Sequence, residues 1–265
     1  MTPAGLPVLP QTCYPAVWLW PGHALYAGPG LNLTPHSGTV WCLAVGADCE
    51  LTVTAGDARV VARSVLIPPR LVHHLDTHGG RLVSAYFDES SGRVATCRAR
   101  CRQTTTHFAI DHTETQSLVI PPRDDDGAQR WLEVAAPETA RRRDPRIADA
   151  LTFIAADPTA AAPARQLAAQ AGLSESRFLH LFRIEVGTSL RRYRLWMRLI
   201  AAGAGLRAGR SLTEAAADAG FVSPSHLSDR FRSTFGLTAS ELLRTGAVLR
   251  LPGLTPSPNT TMPRP

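Results

Sequence analysis

The chain has 265 residues, of which 44% are hydrophobic and 19% are charged, a composition that predicts one large or two ordinary globular domains and excludes a largely disordered chain. It contains no run of about 18 apolar residues that could span a membrane, and its first residues, MTPAGLPVLPQTCYP, lack the pattern of a secretory signal, so we expect a cytoplasmic protein with no membrane partner. The formal net charge of +6 is unevenly divided, since residues 1–140 carry 10 Arg against 13 acidic residues and residues 141–250 carry 17 Arg against 9, which indicates a basic, nucleic-acid-binding module joined to a mildly acidic one.

Short apolar runs separated by Gly, Pro and Asp occupy residues 13–90, including AVWLW, HALYAG, GTVWCLAVG, CELTVTAG and RLVSAYFD. Runs of this kind, rich in Val, Leu and aromatic residues at roughly ten-residue spacing, are typical of an antiparallel sandwich or barrel. We therefore predict a β domain over residues 13–100. A connecting region follows over residues 101–143, in which AQRWLEVAA favours a helix and PETARRRDP a polar linker.

Two segments of this half, ARSVLIPPRLVHHLD and GGRLVSAYFD, together with the His-bearing strands before them, resemble the cupin-type sensor domain of AraC-like regulators. The likeness spans residues 15–92. It implies a cupin-like β-barrel or sandwich that senses a small-molecule effector or mediates dimerisation, with the effector-binding residues unknown.

Histidines of the first half raise the question of a metal, because metal-binding cupins hold a divalent ion with His and carboxylate ligands. They are His23, His36, His73, His74 and His78. The usual arrangement, two His separated by one residue and followed by Glu, is missing from TPHSGTVW around His36, and adjacent His73 and His74 would point to opposite faces of a strand. We therefore expect no metal and no cofactor. A metal-binding cupin, an enzyme or a metal sensor, fused to a DNA-binding domain is the alternative.

The five cysteines, Cys13, Cys42, Cys49, Cys97 and Cys101, are odd in number and scattered, which predicts free thiols rather than a disulfide framework. Cys97 and Cys101 would share one face if the CRARC segment were helical. A redox-active thiol pair or half of a soft-metal site is therefore the alternative to a structural role.

Apolar residues after Asp144-Pro145 recur with the period of helices. A small-residue helix over 164–171 is expected to end at a turn made by Gly172. Ser174 is placed to cap the next helix, which Gly187 closes. The apolar stripe of that helix consists of Phe178, Leu181 and Phe182.

The same arrangement recurs after a long helix predicted over residues 189–206. Ser211 and Glu214 form a capping box that begins another small-residue helix. Gly220 permits the turn, and Ser223 caps the following helix, with Pro224 at its first position. Its apolar stripe consists of Leu227, Phe231 and Phe235, and Gly236 ends it.

The segments RQLAAQAGLSESRFLHLFRIEVGTSLRRYRLWMRLIAA and SLTEAAADAGFVSPSHLSDRFRSTFGLTASELL resemble the DNA-binding domain of the AraC/XylS family of bacterial transcriptional regulators, from Pro145 to Leu243. The resemblance implies an all-α domain over residues 144–246 with two tandem helix-turn-helix units, whose second helices enter successive major grooves. The DNA-binding residues that it implies are Ser176, Arg177, Leu179, His180 and Arg183 in the first unit and Ser225, His226, Ser228, Asp229 and Arg232 in the second.

Two residues depart from the family pattern. Ala239 stands where the family usually has Pro, and Asp229 gives the second unit an acidic group where cations are few, so that unit is expected to contribute more to positioning than to specificity. Candidate phosphate contacts are Arg183, Arg191, Arg192, Arg194, Arg207, Arg210, Arg230 and Arg232.

Taken together, these patterns predict a two-domain α+β transcriptional regulator that is not an enzyme. Its expected partners are double-stranded promoter DNA, a small-molecule effector, RNA polymerase and a second copy of the chain. The Pro- and Thr-rich tail, residues 250–265, is expected to be disordered.

Overall fold

The structure is a computed structural model and describes residues 15–31, 33–88, 91–138, 144–159 and 162–252. Strands dominate the N-terminal part and helices the C-terminal part, so the predicted two-domain α+β class is confirmed. None of the helices in these ranges has the length and apolar character that crossing a bilayer requires.

The strands begin near residue 16 and return at the end of the described chain. They are β1 (Ala16–Trp20), β2 (His23–Pro29), β3 (Trp41–Gly46), β4 (Leu51–Ala55), β5 (Ala58–Ala62), β6 (Ser64–Ile67), β7 (His74–Asp76), β8 (Arg81–Phe87), β9 (Cys101–Thr104), β10 (Ala109–His112) and β11 (Val248–Arg250). The predicted connecting region therefore differs from the structure at its start, because β9 and β10 follow residue 100 and extend the sheet.

Two sheets form the N-terminal domain. The larger has the order β11-β1-β2-β8-β3-β6-β10-β9 and the smaller the order β5-β4-β7. Buried Leu51 and Val53 of the small sheet share a core with Val65, Ile67 and other residues of the large one. The arrangement fits the sandwich form of the prediction. The described strands of the large sheet end at β11 and β9 and do not close into the barrel form.

Helices cover the other face of part of the large sheet. They are α1 (Gly92–Ala99), α2 (Thr115–Leu118) and α3 (Asp125–Ala135). Trp18 and Phe87 of the sheet pack in one core with Trp131 and Leu132 of α3. The indole Nε1 of Trp131 donates to the Leu118 carbonyl at 2.9 Å, so the helix predicted around Trp131 is confirmed and its partner is the sheet. The linker prediction falls largely on residues 139–143, which lie outside the described residues.

The four cysteines of the described part, Cys42, Cys49, Cys97 and Cys101, are free thiols, as predicted; Cys13 lies outside it. The expectation of a shared helical face for Cys97 and Cys101 is wrong, because α1 ends at Ala99 and Cys101 begins β9. The two side chains still adjoin: a hydrogen bond between the thiols raises the pKa of buried Cys97 and lowers the pKa of Cys101.

The C-terminal domain is all helical up to residue 244. Its helices are α4 (Pro145–Ala156), α5 (Ala164–Gln170), α6 (Glu175–Val186), α7 (Leu190–Arg207), α8 (Leu212–Asp218), α9 (Pro224–Phe235) and α10 (Ala239–Arg244). Side-chain caps begin them where the sequence predicts, at Ser174, Ser211 and Ser223. The left-handed backbone of Gly187 and Gly236 ends α6 and α9.

The predicted disordered tail is corrected at its first residues. β11 pairs in parallel with β1 at the edge of the large sheet, with Val248 beside Ala16. Leu251 is only 2% exposed and belongs to the core that the two domains share. The end of the DNA-binding domain is thereby tied to the β domain. Residues 253–265 of the tail lie outside the described residues.

Replacing Leu251 by Ala should lower the free energy of unfolding by about 2–5 kcal/mol, the usual loss for a buried Leu. Val248→Ala is the control, since Val248 lies in the same segment but is 45% exposed. Urea unfolding of both variants measures the difference. Equal, small losses in the two variants would contradict the placement of this segment.

Candidate nucleic-acid interface

The first helix-turn-helix unit consists of α5 and α6, joined by a turn in which Gly172 has φ +64°. The Ser174 hydroxyl accepts a hydrogen bond from the Arg177 amide and satisfies one of the free N–H groups at the start of α6. Phe178 and Phe182 are buried. This burial fixes the rotation of α6, so the opposite arc of the helix faces solvent.

All five residues predicted for DNA contact in this unit lie on that exposed arc. They are Ser176, Arg177, Leu179, His180 and Arg183. Leu179 is 37% exposed although apolar, which suits contact with a thymine methyl group. The arc thus combines hydroxyl, guanidinium, imidazole and apolar groups within two turns of one helix.

The second unit consists of α8 and α9 and repeats the same construction. The Ser211–Glu214 capping box is complete, with the Ser211 amide donating to the Glu214 carboxylate at 2.8 Å. Gly220 makes the turn with φ +73°. Leu227, Phe231 and Phe235 of α9 are buried, as their spacing predicts.

The predicted contact residues of α9 are exposed to different degrees. Ser225, Asp229 and Arg232 are exposed, and His226 and Ser228 are half-buried. Two of the five also bind their neighbours, because the Arg230 Nε donates to the His226 Nε2 at 3.2 Å and Arg232 pairs with Glu241 of α10 at 3.5 Å. The polar groups of the second unit are therefore partly engaged within the protein.

Several arginines predicted as phosphate contacts form hydrogen bonds or ion pairs within the protein. Arg194 donates to the Ala162 carbonyl. Arg192 donates to the Thr39 carbonyl and pairs with Asp88 of the β domain at 3.4 Å. Burial lowers the pKa of Arg194, which is consistent with a structural role. Arg183, Arg191, Arg207, Arg210, Arg230 and Arg232 are exposed, and Arg210 pairs with Asp218 at 3.3 Å.

Helix α7 separates the two units. Its 18 residues give a length of about 27 Å at 1.5 Å per residue, comparable with the roughly 34 Å between successive major grooves on one face of DNA. Arg198 of α7 stacks on Phe221 at 4.2 Å and donates to the Ala219 carbonyl at 2.9 Å. This contact fastens the turn of the second unit to α7, so both units are held on one rigid element.

The β domain contacts the helical domain at the C-terminal end of α9. The Thr39 amide donates to the Ser233 carbonyl at 3.0 Å. The Trp196 Nε1 donates to the buried Asp88 carboxylate at 3.1 Å. Tyr86 meets Phe235 edge to face, with 5.3 Å between the ring centres. Asp88 and Thr39 were not predicted from the sequence as contacts between the two domains. The one sequence feature that could have indicated such a contact is the acidic Asp88 directly after the apolar strand RLVSAYF.

The histidines do not gather into a metal site. The imidazole rings of His36 and His73 lie next to each other, with ring centres 4.6 Å apart. The imidazole of His23 stacks instead on Trp20. His78 lies beside Asp76 at 3.3 Å. In the described part of the chain no group of three His, Cys, Asp or Glu side chains is arranged to hold a metal ion.

A comparison with protein families matches residues 167–245 to a helix-turn-helix domain of the AraC type. The comparison with curated protein sequences gives no match. Among solved structures, ToxT from Vibrio cholerae is 11% identical over 84% of this chain and 98% of its own, with a TM-score of 0.45.

Two further structures match a smaller share of the chain. An AraC-type DNA-binding-domain-containing regulator from Chromobacterium violaceum is 25% identical over 38% of this chain and 92% of its own, with a TM-score of 0.35. The DNA-binding domain of AdpA, a global transcriptional factor, in complex with a target DNA is 24% identical over 38% of this chain and 90% of its own, with a TM-score of 0.34.

The buried imidazole of His23 predicts how the free energy of unfolding changes with pH. Burial and, secondarily, Arg93 lower its pKa from 6.5 to about 3, and its Nε2 is buried without a hydrogen-bond partner among the described residues. Below pH 6.5 the His23 side chain binds a proton in the unfolded chain, but in the folded chain it does not do so until the pH approaches 3. Stability should therefore fall by up to about 1.4 kcal/mol per pH unit from pH 6.5 toward pH 3.

His23→Phe keeps the stacking on Trp20 and removes the titrating group, so its unfolding free energy should depend less on pH than that of the wild type between pH 6.5 and 4.5. His107→Phe, at an exposed position, is the control and should keep the wild-type slope. Denaturant titrations at stepped pH measure the slopes, and identical slopes for His23→Phe and wild type would contradict the prediction.

Proposed function

Because the chain belongs, through its AraC-type helix-turn-helix domain, to the AraC-like DNA-binding regulators, we propose that it reads specific promoter DNA with α6 and α9 in successive major grooves. The observation that supports this most directly is that α6 and α9 are both capped helices that follow a tight turn, and that each carries exposed polar residues. The basic charge of this half adds attraction to the phosphate backbone.

In this proposal Arg177 and His180 make the principal base contacts. Arg177 is exposed on the first turn of α6, where a helix in the major groove presents its side chains to base edges. Its guanidinium can bind the O6 and N7 of guanine with two hydrogen bonds. Ser225, Ser228 and Asp229 of the second unit play a lesser part, because α9 offers few cations near its start.

Control of DNA binding is assigned to the N-terminal domain, with a small molecule as effector. We divide the chain at the linker, with the β domain before residue 138, the DNA-binding domain over 144–246 and β11 returning to the sheet. We also propose that the promoter-bound regulator acts on RNA polymerase and that it works in the bacterial cytoplasm. Its proposed oligomeric form is a homodimer. The metal-binding alternative has no support in the arrangement of the described histidines.

The proposal is tested by selecting bound sequences from a random duplex library and measuring affinity for the selected duplex at several salt concentrations. A defined sequence should emerge, and log Kd should rise linearly with log salt because bound phosphates release counterions. Failure to enrich any sequence, or an affinity that does not change with salt, would overturn the proposal.

Replacing Arg177 by Ala should cost about 1–3 kcal/mol of binding to the selected duplex and relax the preference at one base pair. Arg59→Ala, which removes an exposed arginine of β5 in the other domain, is the matched control and should change neither. Quantitative gel shifts on the selected duplex and its single-base variants measure both effects. Unchanged affinity in Arg177→Ala would remove Arg177 from the base contacts.

A further inference from the structure

Two cysteines of the β domain lie one turn of chain apart. Cys97 is in the last turn of α1, which ends at Ala99, and Cys101 begins β9. Between them Arg100 keeps a right-handed helical backbone, with φ −89° and ψ −5°. Four residues of helix rise by about 6 Å. This spacing lies within the roughly 4.4–6.8 Å that separates the Cα atoms of bridged cysteines.

Both cysteine side chains turn to the same core. Cys97 is fully buried in the cluster that contains Trp131 and Leu132 of α3, and Cys101 packs against that cluster. The Cys101 Sγ lies 3.6 Å from the Cys97 carbonyl oxygen, so the Cys101 side chain points back along the turn toward Cys97. The two thiols are hydrogen-bonded to each other. The fold therefore turns the spacing of CRARC into a contact between two thiols.

The hydrogen bond makes the two thiols chemically different. Cys97 donates it, so the pKa of Cys97 is raised, whereas the pKa of the accepting Cys101 is lowered. Arg98 of α1 also favours the Cys101 thiolate, while burial and Asp111 of β10 oppose it. In its thiol form Cys101 donates to the Cys97 carbonyl, but little is lost on ionisation because S–H is a weak donor. Cys101 is the more reactive of the two, because cysteine reacts as its thiolate.

Access from solvent favours the same residue. Cys101 is half-buried and Arg102 beside it is exposed, whereas Cys97 is buried. Among the described strands, β9 is the last of the large sheet and is hydrogen-bonded on one side only, to β10. A disulfide brings its two sulfur atoms to about 2.05 Å. A small oxidant can therefore reach Cys101, and Cys101 at the sheet edge can move the short distance that a bond to Cys97 requires.

We propose that Cys101 and Cys97 form a dithiol site that a hydroperoxide oxidises to an intramolecular disulfide. The Cys101 thiolate attacks one oxygen of the O–O bond, which breaks, and Cys101 becomes a sulfenic acid. The other oxygen takes up the proton that Cys101 released and leaves as an alcohol, or as water from hydrogen peroxide. The Cys97 sulfur then attacks the Cys101 sulfur, the S–O bond breaks, and the Cys97 proton leaves with the hydroxide as water. The two thiols lose two electrons, which the peroxide gains.

The other described cysteines differ from this pair. Burial raises the pKa of Cys42 to about 12, and the Cys49 thiol donates to the Thr77 carbonyl at 3.2 Å. Both therefore serve as internal controls. The dithiol site lies within the β domain, so its oxidation does not depend on the proposed reading of DNA, and failure of one proposal leaves the other standing.

Peptide mapping of the full chain tests the site directly, in a Cys13→Ser background that leaves the four described cysteines. Trypsin cleaves after Arg, so Cys97 falls on peptide 94–98, Cys101 on 101–102, and Cys42 and Cys49 on 1–59. The reduced chain is treated with equimolar hydrogen peroxide, and free thiols are then blocked with N-ethylmaleimide.

Peptides 94–98 and 101–102 should remain joined after this treatment, and dithiothreitol should separate them. The cysteines of peptide 1–59 should be oxidised at least tenfold more slowly. A disulfide between other peptides, or recovery of Cys97 and Cys101 as blocked free thiols, overturns the proposal.

The order of events is tested with a serine variant of each cysteine. Cys97→Ser leaves Cys101 without a partner, so a sulfenic acid should accumulate at Cys101 and be trapped by dimedone. Cys101→Ser should leave Cys97 unmodified, because the Cys97 thiol is buried. Cys49→Ser, which removes another half-buried thiol of the same domain, is the matched control and should form the disulfide at the wild-type rate. A dimedone adduct on Cys97 in Cys101→Ser, or none on Cys101 in Cys97→Ser, overturns the assigned roles.

The hydrogen bond from Cys97 is tested by the pH dependence of sulfenic acid formation at Cys101. The rate rises with the thiolate fraction, so its midpoint marks the pKa of Cys101. Cys97→Ser retains a hydroxyl donor and Cys97→Ala does not, so the midpoint should lie at higher pH in Cys97→Ala. Equal midpoints in two variants with native circular dichroism overturn the role of this bond. If either variant does not fold, the peptide map of the intact pair still decides the site.

Discussion

Burial of Trp196 and Phe235 between the helices and the β sheet is the interaction on which the arrangement of this protein depends. Their rings lie 5.6 Å apart, Phe235 also meets Tyr86 of the sheet, and the Trp196 Nε1 donates to buried Asp88. A fully buried large apolar side chain contributes about 1.5–3 kcal/mol. Since α7 and α9 supply these residues, the same burial that joins the domains sets the position of α9.

The two helix-turn-helix units share one construction but differ in their surroundings. Burial of Phe178 and Phe182 turns the polar arc of α6 to solvent. In α9 the buried stripe continues to Phe235, whose ring contacts the sheet, and Arg232 pairs with Glu241. The residues of α6 proposed to contact DNA are therefore exposed, whereas α9 also contacts the β domain.

Local sequence determined the helices, their caps, the turns at Gly172 and Gly220, and the exposed arc of each reading helix, because these depend on neighbours within about four residues. It also revealed the short apolar strands and the basic C-terminal half. The packing of distant segments starts a strand at Cys101, pairs Val248–Arg250 with the sheet edge, and brings Arg192 to Thr39 and Asp88. Each of these depends on residues far apart in the chain, brought together by burial of a common core, and no local pattern records that meeting.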